Sequence, residues 1–212
     1  MIRGRVRHVV KRYGRRSAIV DVTLDVKEGE VLGLVGSNGA GKTTLLRIMA
    51  MLLRPTSGSV EAVSRVRYFA GEHMMPPSVV ARRWLAMWGV PASSADHRRP
   101  LGVLSRGMRQ RIGLEAMLGD RAADLLLLDE PWEGLDPDAS RWLSAELRQR
   151  RAAGAGIIVS SHRMHDLADV CDRCLFLDDG KLSGVSLSSA ELAQAGNRSS
   201  LLFETFDRAR QR

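Results

Sequence analysis

The stretch Gly36-Ser37-Asn38-Gly39-Ala40-Gly41-Lys42-Thr43 limits what this chain can fold into more than any other. It reads G-x-x-x-x-G-K-T, a phosphate-binding loop pattern. An apolar strand candidate, Glu30-Val31-Leu32-Gly33-Leu34-Val35, precedes it. After it, Leu45, Leu46, Ile48, Met49, Leu52 and Leu53 recur at helical spacing, with a Pro/Gly turn at Arg54-Pro55-Thr56-Ser57-Gly58 to stop the helix. Strand, glycine loop and helix are what phosphate binding needs. Glycines let successive backbone N–H groups turn toward one anion, and the helix start adds its dipole. Lys42 would reach the β- and γ-phosphates, the Thr43 hydroxyl would ligate magnesium, and Thr44 beside it would belong to the nucleotide-binding set. The plainer alternative is a glycine-rich turn before an ordinary helix. The Gly-Lys-Thr ending and both flanks favour a nucleoside triphosphate site.

Ala123-Asp124-Leu125-Leu126-Leu127-Leu128-Asp129-Glu130 is a solid apolar run ending in two acids. That pattern predicts a strand buried on both faces with carboxylates at its C-terminal tip, where open α/β sheets bind their ligands. Asp129 would then hold magnesium and Glu130 would polarise an attacking water. Ile157-Ile158-Val159-Ser160 predicts a neighbouring strand that brings His162 toward the same phosphate. Asp136-Pro137 is a helix start with proline at the first position, and that helix runs to Gly154.

Elsewhere the pattern is coarser. Residues 3–10 and 17–27 predict strands with Tyr13-Gly14 in the turn between them; Ser59–Ala62 and Val66–Phe69 predict two more. Ser78 is a candidate cap for a helix through Trp88, closed by Gly89, and Pro91–Pro100 reads as a polar loop. Leu104-Ser105-Arg106-Gly107-Met108 opens another helix. Met74, Met75, Trp84, Met87 and Trp88 form either an apolar groove for a partner or the core of a small lobe. Leu167, Val170, Cys171 and Cys174 fall on one helical face, which favours buried thiols over a redox pair or a metal site with His165. Leu175-Phe176-Leu177-Asp178-Asp179-Gly180-Lys181 reads as a strand entering a hairpin, and residues 187–212 as one or two amphipathic helices.

Composition excludes some classes. No apolar run approaches the roughly 18 residues of a membrane span, and Met1-Ile2-Arg3-Gly4-Arg5 has no apolar stretch behind it to make a secretory signal. Two cysteines point to a reducing cytoplasm without a disulfide framework. The net charge is +8, but of 32 basic residues only Lys11, Lys27, Lys42 and Lys181 are lysine. Scattered arginines in that proportion fit a genomic composition bias, so no specific nucleic-acid partner is expected.

Taken in order, these motifs resemble the ATP-binding subunit of ABC transporters, exporter-like branch, over nearly the whole chain. Gly36–Thr43 is similar to the family's Walker A loop, Leu125–Glu130 to its Walker B strand, and Leu104–Met108 to its signature, usually Leu-Ser-Gly-Gly-Gln. Gly134-Leu135-Asp136 resembles the D-loop, His162 the switch histidine, and Tyr13 the aromatic that stacks on adenine. The resemblance implies an α/β P-loop NTPase fold in a single domain. Residues 1–70 and 120–212 would form a mostly parallel core with an N-terminal antiparallel β subdomain. Residues 72–119 would form a shortened helical subdomain that includes the signature.

The resemblance also implies an ATPase that takes ATP and Mg2+ and works as a head-to-tail pair of ATP-binding subunits. Ser105, Gly107 and Asp136 would meet the ATP held by the partner. The pair would drive an integral membrane permease from the cytoplasmic face of the inner or plasma membrane, for export rather than import. Alternatives are a soluble ABC ATPase in assembly or maintenance, and a low-turnover regulatory subunit of an asymmetric pair. Three positions depart from the family. Arg106 and Met108 replace signature glycine and glutamine, the Q-loop glutamine gives way to Ala70-Gly71-Glu72-His73, and the lobe between Glu72 and Val103 is short.

Overall fold

The computed structural model describes residues 1–62, 65–92 and 95–210. The chain runs β1 (Ile2–Tyr13), β2 (Arg16–Lys27), β3 (Val31–Val35), α1 (Lys42–Met49), β4 (Ser57–Ala62), β5 (Val66–Phe69), α2 (Ala81–Met87), α3 (Arg106–Gly119) and β6 (Leu125–Asp129). It continues with α4 (Pro137–Ala152), β7 (Gly156–Ser161), α5 (Met164–Ala168), β8 (Arg173–Asp178), β9 (Lys181–Ser188), α6 (Ser189–Gln194) and α7 (Arg198–Arg210). Three strands form an antiparallel sheet in the order β2-β1-β4; six form a second sheet, β5-β6-β7-β3-β8-β9. All pairings in the second sheet are parallel except β8 with β9.

The apolar runs explain the layering. Side chains alternate across a strand, so Leu126 and Leu128 of β6, with Ile157 and Val159 of β7, pack on one face against Leu114 and Met117 of α3 and Leu143 and Leu147 of α4. Leu125 and Leu127, with Ile158, Leu32 and Leu34, pack on the other face against Leu45 and Ile48 of α1 and Val6, Val9 and Val22 of the antiparallel sheet. A strand enclosed on both sides has no polar position to spare until its end, which is why β6 stays apolar up to Asp129. A third cluster joins Met75, Ala81, Leu85, Leu101, Leu104, Ile112 and Ala116. The methionines and tryptophans expected as groove or core therefore divide. Met75 is buried and Trp84 and Trp88 pack against that cluster, whereas Met74 and Met87 are exposed.

Four local expectations are corrected. The helix expected from Ser78 starts at Ala81, and Ser78 does not cap it. Residues 79–81 are drawn into a bridge with 99–101: the Ala81 N–H donates to the Arg99 carbonyl at 3.0 Å and the Leu101 N–H to the Val79 carbonyl at 2.8 Å. Helix α1 ends at Met49, because Met51 adopts φ 58° and the Leu52 and Leu53 amides fold back onto the Arg47 carbonyl; Leu52 is left exposed. Cys171 and Cys174 do not share a helical face with Leu167. Helix α5 stops at Ala168, and Asp172 is tied to β3, its carboxylate accepting the Val31 N–H at 2.9 Å. Leu187 belongs to β9, and the tail beyond it forms α6 and α7. Within the expected polar loop Pro91–Pro100, Ala95–Arg98 form a short 3-10 turn, while Ser93 and Ser94, like Gln211 and Arg212 of the tail, lie outside the described residues.

Both cysteines are nevertheless buried and unbridged. A Cβ on Gly33 of β3 would stand 2.8 Å from the Cys174 sulfur and 2.9 Å from the Cys171 sulfur. The contact with Cys174, then burial, pushes the Cys171 thiol well up from its ordinary pKa. Overpacking of this kind costs about 1–3 kcal/mol. Gly33→Ala is therefore expected to lower the midpoint of urea unfolding, and Cys174→Ala in the same chain to restore part of it. Equal losses with and without the second change would show that the sulfurs are not what the glycine avoids.

On the antiparallel sheet, Asp25 accepts from Arg5 at 3.0 Å and Arg7 at 3.1 Å. Burial alone would raise this carboxyl, but the two guanidinium groups outweigh it and hold it below the usual carboxylate range. A group depressed in the folded state stabilises fully above its unfolded pKa, about 3.9, and loses that contribution as pH falls through the folded value. The difference in melting temperature between the native chain and Asp25→Asn should be present at pH 7 and shrink below about pH 4.

Candidate functional site

Between the parallel sheet and the antiparallel sheet lies a cavity of about 720 Å³. Its walls carry Tyr13, Ser37, Asn38, Gly39, Gly41, Lys42, Thr43, Thr44, Asp129 and Glu130, as the sequence suggested. Gly41 takes φ 108°, a conformation that side chains resist, and from it α1 begins at Lys42. The first amides of that helix have no acceptor within it, so the loop offers donors and a positive dipole end to an anion. Lys42 is 6% exposed. Its ammonium donates to the carbonyls of Gly36 at 2.7 Å and Ser37 at 3.2 Å, and stands 3.2 Å from a Glu130 oxygen.

Glu130 is held from several sides. Its N–H faces the Ser160 carbonyl and hydroxyl, at 3.2 and 3.1 Å. Its carboxylate receives the His162 N–H at 3.2 Å, and His162 Nδ1 lies 3.0 Å from the same oxygen. With Nδ1–H donated there, the ring offers a second donor from Nε2 only as the imidazolium. Asp129 accepts from the Ser160 hydroxyl at 2.6 Å and the Tyr68 hydroxyl at 3.4 Å. Burial, then the Asp129 charge, pushes the Tyr68 phenol above its ordinary pKa, so it remains a donor.

Glu130 has φ 48°, an uncommon conformation for a residue with a side chain, and one that costs of order 1–3 kcal/mol. The Thr43 hydroxyl and the Asp129 carboxylate both line the cavity. An oxygen donor pair of this kind fits magnesium, which keeps several waters and takes other ligands from phosphates.

Other expected residues lie apart. Gly36 contributes its carbonyl from behind the loop, and Ala40 is buried there. Ser105 starts α3, its hydroxyl accepting the Met108 N–H at 3.2 Å; Asp136 starts α4 and accepts from Ala139 N–H at 2.7 Å. Gly107 packs so closely on the Gly134 carbonyl that a Cβ would come within 2.5 Å of it. None of Ser105, Gly107 and Asp136 lines the cavity within one chain. Glu72, considered in place of the family glutamine, turns its carboxylate to Arg109 at 2.7 Å, with Arg106 at 3.6 Å. His73 joins it on the wall of a smaller cavity of about 180 Å³ beside Thr43, Asp129 and Glu130.

The sequence reading missed Arg16, Ser17, Ala18, Asp179 and Gly180 on the main cavity wall. They arrive through long-range pairing: the Gly180 N–H donates to the Ala40 carbonyl at 3.0 Å, and the Val20 N–H to the Gly180 carbonyl at 2.7 Å. The Asp-Gly hairpin signal at Asp179-Gly180 was visible, but nothing local says where a hairpin docks.

A strand, a glycine loop and a helix facing two acids on a neighbouring parallel strand define a nucleotide site of the P-loop kind. The family model described as "ABC transporter" matches residues 19–75. The Nod factor export ATP-binding protein I of Burkholderia orbicola (strain AU 1054) is 31% identical over 82% of this chain and 67% of its own length. The ABC transporter ATP-binding protein NatA of Bacillus subtilis (strain 168) is 30% identical over 78% of this chain and 80% of its own. The solved structure of an ATP-binding subunit of an ABC transporter superposes with a TM-score of 0.81 at 22% identity, covering 97% of this chain and 98% of that one. The chain belongs to the ABC transporter ATP-binding family and is an ATP-binding ATPase of that family.

Ser160 links both acids, so its replacement tests whether the carboxylate end of the cavity is held as one unit. Ser160→Ala removes the hydroxyl from Asp129 and from the Glu130 amide. The Glu130 amide keeps the Ser160 carbonyl, but the buried Asp129 Oδ1 loses its donor, and leaving a buried polar atom without its partner costs about 1–3 kcal/mol. A chemical denaturation midpoint lowered to that extent is the expected result.

Proposed function

We propose that this chain is the ATP-hydrolysing subunit of an exporter, driving a separate integral membrane subunit. The observation that carries the reading is Glu130, held by His162 at one carboxylate oxygen and facing Lys42 with the other, beside Asp129 in one cavity. The loop amides and Lys42 would bind the ATP phosphates, and Tyr13, half exposed at the cavity rim, would stack on the base. Thr43 and Asp129 would hold a magnesium ion, which supplies charge neutralisation at the phosphates when bound.

Glu130 would take a proton from the attacking water, and His162 would hold the γ-phosphate from Nε2. Water excluded by closure of two copies would strengthen both contacts. Each copy would present Ser105, Gly107 and Asp136 to the ATP of the other. That arrangement is supported by helix starts at α3 and α4 that lie outside their own chain's cavity. Among the described residues no helix is long and apolar enough to cross a membrane, so the transported substance would pass through another chain. Export is supported by the kinship to the Nod factor export protein.

Glu72 favours a second reading, a low-turnover regulatory subunit of an asymmetric pair. Its carboxylate is engaged by Arg109 instead of standing free where the family has glutamine. ATPase assays on the chain alone and with the membrane protein that co-purifies separate the readings. A positioned base contributes about 10²–10⁴ in rate. Glu130→Gln should therefore lose hydrolysis by that order while ATP binding, measured by equilibrium titration, is retained. Near-native turnover in that variant would sink the assignment of the base.

A further inference from the structure

Gln110 has no part in the chemistry set out above, yet it is only 3% exposed. It lies in the second turn of α3. Its Oε1 accepts the Glu72 N–H at 3.1 Å, and its Nε2 donates to the Pro131 carbonyl at 2.9 Å and faces the Glu130 carbonyl at 3.5 Å. An amide side chain brings one acceptor atom and two N–H donors. Here both ends are taken up by the backbone of two separate loops that flank the carboxylate end of the site.

Those loops need holding. Glu130 sits at φ 48°, a backbone state that persists only where the surroundings over-determine it. On its amide side it is tied to Ser160 of β7. On its carbonyl side the Glu133 N–H reaches it at 3.1 Å. The next residue, Pro131, has no N–H, so its carbonyl is its one backbone handle, and Gln110 holds it. The smaller cavity lined by Thr43, Glu72, Gln110, Asp129 and Glu130 puts this clamp directly beside the phosphate loop.

We propose that Gln110 is a positioning residue for hydrolysis, clamping the Pro131 carbonyl and the Glu72 amide so that the Glu130 carboxylate keeps its aim at the attacking water. The proposal rests on the reading of Glu130 as the base. Loss of the clamp shifts that carboxylate and leaves Lys42 and the loop amides where they are. Turnover therefore falls while ATP binding stays. A purely structural buried glutamine would instead lower stability and leave the folded fraction fully active.

Two variants separate these cases in the full chain. Gln110→Met is close in size and neither donates nor accepts as an amide does. Gln110→Glu keeps the shape, but when ionised it sets an acceptor against two carbonyls; when protonated it has a donor again. Steady-state ATP hydrolysis is measured from about pH 5.5 to 8, with ATP affinity and melting temperature determined on the same samples.

A misplaced catalytic group costs up to about 10²-fold. Gln110→Met should accordingly lose about 10- to 100-fold in kcat, with KM within about twofold and ATP affinity unchanged. Gln110→Glu should lose as much at pH 8 and recover toward the native rate as pH falls. A Gln110→Met kcat within about twofold of native, kcat and affinity lost together, or a Gln110→Glu profile parallel to the native one each overturns the proposal. Glu130→Gln is assayed alongside. If it turns over normally, the reading of the base has failed; if it is inactive while Gln110→Met is unimpaired, the Gln110 proposal alone has failed.

Discussion

Three charged groups meeting at one end of a parallel sheet set the terms for the rest of this structure. Lys42 is almost enclosed, and Asp129 and Glu130 stand at the tip of a strand with no exposed residue before them. Charges withdrawn from water are costly unless paired and hydrogen-bonded. Here the pairing depends on strand register. Asp129 lies opposite Ser160, and Val35 opposite Ser161, so the tips of β6, β7 and β3 end at one level. A slip of one residue in β6 would turn Asp129 away from the Ser160 hydroxyl and put its leucines on the wrong faces.

The register is in turn protected by what covers the sheet. Helices α3 and α4 lie on one face, and α1 with the antiparallel sheet on the other. The hydrophobic layers therefore fix where the carboxylates stand, and Tyr68, packed into one of them, reaches Asp129 with its hydroxyl. The chemistry sits at a strand tip, at a helix start and in the loops that leave the strand ends, and those loops can vary in sequence while the layers beneath stay apolar. Arg106 shows such variation: in place of the glycine of the family signature it makes a 2.7 Å ion pair with Glu133, joining the start of α3 to the loop after β6. The exposed partners make this a weak contact, of roughly 0–1 kcal/mol.

The core was legible because its signals are local. A four-leucine run, a glycine loop and an Asp-Pro helix start each carry their own physical reason, and β6, α1 and α4 begin where those signals lie. What could not be read was decided at a distance. Ser78 looks like a helix cap, but the bridge between residues 79–81 and 99–101 takes the backbone first. The helical spacing of Leu167 to Cys174 is real, but Asp172 docks on Val31 and ends the helix. Asp179 and Gly180 form a recognisable turn whose place on the cavity wall depends on contacts with Ala40 and Val20. Gln110 looks like any polar helix residue until its two loop partners are seen together.

The thiols behind Gly33 carry a practical meaning for anyone wishing to watch this protein move. Both cysteines are buried, and the contact between them and their burial keep Cys171 in its unreactive protonated form. The native surface is therefore silent toward maleimide dyes. A single cysteine introduced on an exposed position of α4, such as Arg141, would be the sole reactive sulfur in each copy. In the head-to-tail pair proposed above, two labelled copies would then report their separation by energy transfer without any need to strip the native residues first.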